Sequence, residues 1–206
     1  FSTAGQTNAQ QDIAWDGTYF YIADDQNNRV LKYTAAGTYQ TSLFSTASQD
    51  GQMWGIVCVG SDFYLCGNGN DKVYKYNSAG VFQSDFSLAS QLTTPHAITY
   101  DGTYLWVLGD VSGSENVSFS TDAQDIYSRG LAWDGTSFWV TGNSTDRVYK
   151  YNSSGVYQNV SFNVAGTGLK PLGVVWDSSA LWILDEDAQT ISKYADQLGV
   201  TNNASA

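Results

Sequence analysis

Hydrophobic and polar residues alternate along this chain in short runs, each broken by glycine or by polar turn residues. Residues 13–24 predict two short strands around an Asp16-Gly17 turn, because such alternation is typical of a half-buried strand. Four cognate runs begin at Ile56, Ile98, Leu131 and Val174. No segment keeps an apolar period of 3.6 residues, so we expect little helix.

The five runs align into a repeat with two aromatic positions. The first is occupied by Trp15, Cys58, Tyr100, Trp133 and Trp176. Six residues later every unit has an aromatic residue: Tyr21, Tyr64, Trp106, Trp139 and Trp182. A bulky side chain at one place in every unit predicts packing of each unit against its neighbours.

A third strand follows the hairpin and carries an adjacent lysine and tyrosine. It appears as residues 29–33, 72–76 and 147–151, and more weakly as 190–194. A fourth strand then ends near Phe44, Phe86, Phe119 and Phe162. In the third unit the distance from Tyr100 to Phe119 is ten residues shorter than that from Trp133 to Phe162. We therefore expect the third unit to lack its third strand or to cross by an irregular connection.

Repeats of this size that cannot bury their apolar faces alone are typical of a ring of blades. The sequence predicts an all-β fold, a five-bladed β-propeller with mostly four-stranded blades and a trimmed third blade. The whole chain, 1–206, is expected to be one domain, with repeats near 12–44, 55–86, 97–119, 130–162 and 173–206. Phe1 lies in the phase of the fourth strand, so the two termini should meet in the last blade.

The charge balance narrows the classes of partner. Nine basic and twenty acidic residues give a net charge of -11, which disfavours binding to nucleic acid and to anionic lipid. No apolar run is long enough to cross a bilayer, so membrane insertion is not expected. The chain begins at Phe1 rather than Met, which predicts a processed product or part of a longer protein or assembly.

The two cysteines lie on opposite arms of the second hairpin. With a two-residue turn, Cys58 would face Phe63 and Cys66 would point to the other face of the sheet. This arrangement favours two free thiols over a disulfide.

The repeat resembles the NHL repeat family. The resemblance rests on residues 13–24 (IAWDGTYFYIAD) followed by Asn28-Arg29-Val30, and on the openings at Pro95 and Pro171. It implies a propeller fold but leaves function open, because NHL-type propellers include lyases, hydrolases and binding modules.

The residue just before the first strand of each unit should rim the central channel. These residues are Gln11, Trp54, His96, Arg129 and Leu172. They differ in kind although their neighbours repeat, so we predict that they bind a ligand, with Asp12 as the nearest carboxylate; plugging of the channel mouth is the alternative. A single histidine excludes a multi-histidine metal centre.

Acidic and amide side chains cluster in the loops after the second strands. Most are explained by turn chemistry, and neither a cofactor nor a metal is expected. Asp185, Glu186 and Asp187 form the one weak candidate for calcium, since three adjacent carboxylates repel one another without a counterion.

These features favour a non-enzymatic binding or structural module of an extracellular or surface-exposed protein, such as an adhesin, an appendage subunit or a virion component. Its ligand would be a glycan or a protein, bound through the face that carries the rim residues. The alternatives are an NHL-type lyase or hydrolase using His96, and a purely structural role in an assembly.

Overall fold

A computed structural model of the protein describes residues 1–111, 119–164 and 170–195, which form five antiparallel sheets. The first contains β1 (Gln10–Trp15), β2 (Tyr19–Asp24), β3 (Arg29–Thr34) and β4 (Tyr39–Ser45). The second contains β5 (Met53–Val59), β6 (Asp62–Gly67), β7 (Lys72–Tyr76) and β8 (Phe82–Ser87). The third contains β9 (Leu92–Tyr100) and β10 (Leu105–Val111). The fourth contains β11 (Ser128–Trp133), β12 (Ser137–Gly142), β13 (Arg147–Asn152) and β14 (Tyr157–Asn163). The fifth contains β15 (Pro171–Trp176), β16 (Leu181–Asp185) and β17 (Thr190–Tyr194).

The first strand of every sheet lies at the centre of the molecule. β1 contacts β5, β5 contacts β9, β9 contacts β11, β11 contacts β15, and β15 returns to β1. This closed cycle of inner strands is the arrangement of a β-propeller. The predicted all-β propeller is therefore confirmed.

The N-terminus completes the edge of the fifth sheet. Ser2 forms a β-bridge with Thr190, and Phe1 exchanges backbone hydrogen bonds with Ile191 at 2.8 and 2.9 Å. The Phe1 ring packs on Phe20, with ring centroids 5.7 Å apart. The predicted contribution of the C-terminal tail to this sheet falls on residues 196–206, outside the described residues.

A hydrogen-bonded aspartate explains why the hairpin sequence repeats. Asp134 Oδ1 accepts hydrogen bonds from the backbone N–H groups of Thr136 and Ser137, which fixes the turn, and Oδ2 accepts one from Trp139 Nε1 at 2.7 Å. The same bond from the aromatic residue five positions on occurs at Asp16, Asp101 and Asp177. One aspartate thus ties the turn to the aromatic side chain between neighbouring sheets.

In four of the five places around the ring, a phenylalanine near the fourth-strand position packs against the lysine–tyrosine strand of the next sheet. Phe44 stacks on Tyr76 of β7 with centroids 4.9 Å apart. Equivalent pairs are Phe1 with Tyr33 at 5.7 Å, Phe119 with Tyr151 at 5.3 Å, and Phe162 with Tyr194 at 5.5 Å. This aromatic contact is the repeated seam of the ring.

Strand number differs among the sheets. Three sheets have the expected four strands, the fifth has three plus the Ser2 bridge, and the third has two within the described residues. The two-strand third sheet agrees with the short third unit, whose connection 112–118 is outside the described residues.

Cys58 and Cys66 are both free, as the sequence favours. Burial raises the pKa of both thiols above the ordinary value for cysteine. In the described residues, no helix has the length and apolar character needed to cross a bilayer.

Candidate functional site

Three of the predicted rim residues meet at one place. Trp54 is the second residue of β5, His96 lies within β9, and Arg129 is the second residue of β11. Because β5, β9 and β11 are consecutive in the ring of inner strands, their equivalent positions are neighbours in space. All three side chains are half-buried.

Trp54, His96 and Arg129 form a cluster that is held together by ring stacking, a cation–π contact and one hydrogen bond. The rings of Trp54 and His96 are stacked, with centroids 5.2 Å apart and planes inclined by 15°. The Arg129 guanidinium carbon lies 5.5 Å from the Trp54 ring centroid, within the range of a cation–π contact. Arg129 Nη1 lies 2.9 Å from His96 Nδ1.

The arginine contact fixes the state of His96. A guanidinium only donates, so Nδ1 accepts the bond and the proton of the neutral ring sits on Nε2. Burial lowers the pKa of His96 to about 4, and the Arg129 charge acts in the same direction, while Asp110 opposes them. His96 is therefore a neutral ring at physiological pH.

A cavity of about 220 Å³ opens beside this cluster. Asp110 and Asp122 contribute carboxylates to its wall, and Thr94 contributes a hydroxyl. Ile126 and Tyr127 also line it and are 68% and 57% exposed. The cavity thus combines aromatic and apolar surface with hydrogen-bonding groups of both kinds, the usual composition of a small-molecule site.

The indole N–H of Trp54 lies near the carboxyl group of Asp25. Burial raises the pKa of Asp25, and the nearby Trp54 N–H lowers it. The two buried atoms nevertheless lie outside normal hydrogen-bond geometry. Trp54 is therefore positioned by its stacking on His96 more than by a bond through its nitrogen.

The other predicted site residues are not among those that line this cavity. Leu172 is buried, and its carbonyl accepts a hydrogen bond from Thr141 Oγ1 at 2.5 Å, which ties the fourth sheet to the fifth. Gln11 is half-buried, and neither it nor Leu172 is among the cavity-lining residues. The structure therefore does not bring the five rim residues into one site.

Asp12 is a buried residue of the scaffold. It stands where the other units have Gly55, Ala97, Gly130 and Gly173. A Cβ on Gly55 would lie 2.9 Å from Ile98 N, so a small residue is needed where adjacent inner strands approach. In the first unit this position is Asp12, whose carboxyl group accepts a hydrogen bond from the backbone N–H of Ile56 in the neighbouring strand β5. Burial raises the pKa of its carboxyl well above the ordinary value, although the backbone N–H groups of Ile56 and Ile13 lower it.

Asp110, Asp122, Ile126 and Tyr127 line the cavity but are not among the residues predicted from the sequence. Ile126 and Tyr127 were detectable in principle, because apolar residues precede the first strand of the fourth unit where the second unit has Gly51 and Gln52. Asp110 gave no such signal, because it reaches the cavity only through the position of β10 beside β9.

The first aromatic position of the repeat lines a different cavity. Its five residues and their inner-strand neighbours enclose about 130 Å³ toward the C-terminal ends of the inner strands. Trp15 and its cognates are half-buried there, and the tryptophans among them also pack between sheets. Trp15 packs against the core cluster that joins the first and fifth sheets, Trp133 against the one that joins the third and fourth, and Trp176 against the one that joins the fourth and fifth. Inter-sheet packing is therefore found at both aromatic positions of the repeat.

The weak calcium candidate separates into distinct environments. Asp185 is buried and accepts a hydrogen bond from Ala188 N at 2.7 Å, and burial raises the pKa of its carboxyl. Asp187 is exposed and forms an ion pair with Lys170 at 3.3 Å. Within residues 1–111, 119–164 and 170–195, no three acidic, His or Cys side chains form a group that could hold a metal ion.

Comparison with solved structures supports the fold. The chain is similar to a streptogramin B lyase, with a TM-score of 0.52 and 15% identity over 94% of this chain and 71% of the lyase. A nidogen/laminin complex gives a TM-score of 0.38 and 16% identity over 92% of this chain and 60% of the matched chain. Virginiamycin B lyase from Staphylococcus aureus gives a TM-score of 0.36 and 14% identity over 89% of this chain and 50% of the lyase. The support comes from the streptogramin B lyase match, which at 15% identity bears on the fold alone.

No protein-family model matches the sequence, and comparison with curated proteins finds no match.

Proposed function

We propose that this protein is a non-enzymatic binding module that recognises a glycan at the cavity beside Trp54, His96 and Arg129. In this proposal the five sheets are the blades of an NHL-like five-bladed ring, and the module is extracellular or surface-exposed. The acidic surface with few charged residues, 14% of the chain, supports that location.

The observation that carries the proposal is the composition of the cavity wall. A saccharide presents apolar C–H faces and many hydroxyl groups that both donate and accept hydrogen bonds. The exposed ring of Tyr127 offers an apolar surface, while Asp110 and Asp122 accept and Arg129 donates. The stacked Trp54–His96 pair holds Arg129 in place, which lowers the entropic cost of binding.

A lyase or hydrolase acting at the same place is the alternative. His96 has one nitrogen engaged by Arg129, and its lowered pKa suits a base better than an acid near neutral pH. Asp12, the carboxylate expected to assist it, is instead buried between inner strands. The binding role therefore has the stronger support.

The test is a glycan array followed by calorimetry on folded protein. Tyr127→Ser and Arg129→Gln should each weaken binding of an array hit at least tenfold. Tyr104→Ser, which alters a 67% exposed tyrosine that does not line the cavity, should leave the affinity unchanged. An array without hits, or equal loss with Tyr104→Ser, contradicts the glycan proposal. Turnover of any substrate that His96→Ala abolishes would favour the enzyme instead.

A further inference from the structure

Among the described residues, β10 is the outer strand of the third sheet, whereas in the other sheets a third strand pairs with the equivalent strand. β10 pairs with β9, and no described strand pairs with its other side. Its side chains from Leu105 to Leu108 are half-buried, whereas those of the equivalent strand β12 are buried throughout. An unpaired strand of this length offers a row of free backbone N–H and C=O groups to an incoming strand.

Neighbouring aromatic residues are exposed at the same gap. Phe162 is 0% exposed because it packs in the seam with Tyr194. Phe86 holds the equivalent position in β8 but is 48% exposed, because the third sheet lacks the tyrosine-bearing strand on which it would pack. Phe82, the first residue of the same outer strand, and Val81 just before it are 37% and 56% exposed.

The repeat itself indicates what fills this gap. In the other four sheets the third strand places a lysine over the second aromatic position. The pairs are Lys32 over Tyr21, Lys75 over Tyr64, Lys150 over Trp139 and Lys193 over Trp182, with distances from 4.8 to 5.6 Å. The tyrosine next to each lysine takes part in the seam. One strand therefore supplies a cation to one side and an aromatic ring to the other.

The residues that a lysine and a tyrosine of a third strand would contact are both present at the third sheet: Trp106 within it and Phe86 in the sheet before it. Trp106 Nε1 donates to Asp101 Oδ2 at 2.7 Å, as Trp139 donates to Asp134, yet no described lysine or arginine lies over the Trp106 ring. Phe86 likewise has no tyrosine of the third sheet packed on it among the described residues. The slot beside β10 thus presents an acidic, aromatic surface on one side and an apolar one on the other.

The connection that follows β10 does not carry a matching pair, because residues 110–118 (DVSGSENVS) contain neither a basic nor an aromatic residue. The lysine–tyrosine strands β3, β7 and β13 are each paired on both sides within their own sheets. The fourth such strand, β17, pairs with β16 and is hydrogen-bonded on its other side to Phe1 and Ser2. Among the described residues, a second copy therefore does not present a free lysine–tyrosine strand.

We propose that the β10 edge is a docking site for an extended segment of a partner protein that carries adjacent lysine and tyrosine residues. The segment pairs antiparallel with β10, in the manner of β-strand addition. Its lysine lies over Trp106 near Asp101, and its tyrosine packs on Phe86. The C-terminal part of β10 also lines the cavity at Trp54, but Trp106, Asp101 and Phe86 do not, so the proposal does not depend on the glycan proposal.

A peptide copied from this protein is the probe. Residues 145–153 (TDRVYKYNS), with blocked ends, contain the lysine–tyrosine pair at Lys150 and Tyr151. Binding is followed by NMR of isotope-labelled full-length protein, and amide exchange of β10 is measured with and without the peptide. We expect saturable binding below 1 mM, with slowed exchange of the β10 amides.

Variants test the two side-chain contacts. Lys150→Glu in the peptide and Phe86→Ser in the protein should each weaken binding at least fivefold. Val156→Ser is the matched control, because Val156 precedes the outer strand of the fourth sheet as Val81 does in the second and is 57% exposed. It should leave the affinity unchanged.

Three results would overturn the proposal. One is no binding at 1 mM by protein whose NMR spectrum shows it to be folded. The second is equal binding of the Lys150→Glu peptide. The third is slow exchange of the β10 amides in the protein alone, which would mean that residues of this chain or of a second copy already cover the edge; light scattering would distinguish the two.

Discussion

Asp12 Oδ2 accepts a hydrogen bond from the backbone N–H of Ile56 at 3.0 Å, so a buried carboxyl group joins the inner strands of the first two sheets. The other oxygen of Asp12 is buried without a hydrogen-bond partner. A charge at this place would be poorly solvated, which is why the carboxyl binds its proton more tightly in the folded protein.

Asp12→Asn should therefore change how stability depends on pH. The folded pKa lies above the ordinary value of 3.8, so the contribution of Asp12 is complete below about pH 4 and is lost as the pH rises toward the folded pKa. Asparagine is neutral at every pH. As the pH rises from about 4 toward the folded pKa, the unfolding free energy of the variant should therefore increase relative to that of the wild type by up to about 1.4 kcal/mol per pH unit. Urea unfolding of both proteins from pH 4 to 8 measures this. Parallel curves would contradict the account, and Asp122→Asn, at an exposed site, is the control.

His96 should titrate with a midpoint near pH 4. It is the single histidine of the chain, so its ring signals are unambiguous by NMR. Burial is the larger cause of the lowered pKa and the Arg129 charge the smaller. Arg129→Gln should raise the midpoint without restoring the ordinary value of 6.5. Arg147→Gln, in the outer part of the fourth sheet, should leave it unchanged, and a wild-type midpoint above 6 would contradict the arrangement.

Asp134 should stabilise its hairpin most at neutral pH. Burial alone would raise the pKa of Asp134, but hydrogen bonds from Trp139 and from the turn lower it overall. Asp134→Asn should cost about 1.5–3 kcal/mol of unfolding free energy at pH 7, toward the lower end because the site is partly exposed. Because the folded pKa is depressed, this cost should shrink as the pH falls from 5 toward 2.

A surface ion pair provides the comparison for Asp134. Asp62 pairs with Lys75 at 2.9 Å with about a third of each side chain exposed. Asp62→Asn should cost less than about 1 kcal/mol in the same chemical unfolding experiment. Equal costs for the two variants would show that the indole bond to Asp134 has no special role.

Phe162 and Phe86 should respond very differently to truncation. Phe162→Ala removes a fully buried ring from the seam and should cost about 3–5 kcal/mol. Phe86→Ala removes a half-exposed ring and should cost less than about 1 kcal/mol in the absence of a partner. Thermal unfolding of the two variants measures both costs. A large loss for Phe86→Ala would mean that the gap beside β10 is already filled.

Much of the fold was predictable because the repeat carries its own packing rules. The tryptophans and tyrosines at fixed spacing specify which surfaces face a neighbouring sheet, and the Asp-Gly turn specifies the hairpin. Even the short third sheet was visible as ten missing residues. The site was predictable only in part. The rim position, which was expected just before the first strand, lies within that strand in every sheet. Repeat alignment also treats all five units as equivalent and does not say which side chains touch.

The sequence by itself determined a ring of β-sheets and the positions where its repeats differ, because local hydrophobic period and spacing act within each unit. Only the tertiary structure decided which of these unlike side chains contact one another. Trp54, His96 and Arg129 lie on consecutive strands and their side chains contact one another by stacking and hydrogen bonding, whereas Gln11 and Leu172 do not line the same cavity. The exposed edge of β10 is likewise a property of the closed ring, since Phe86 is unsatisfied only where the next sheet lacks the strand that would cover it.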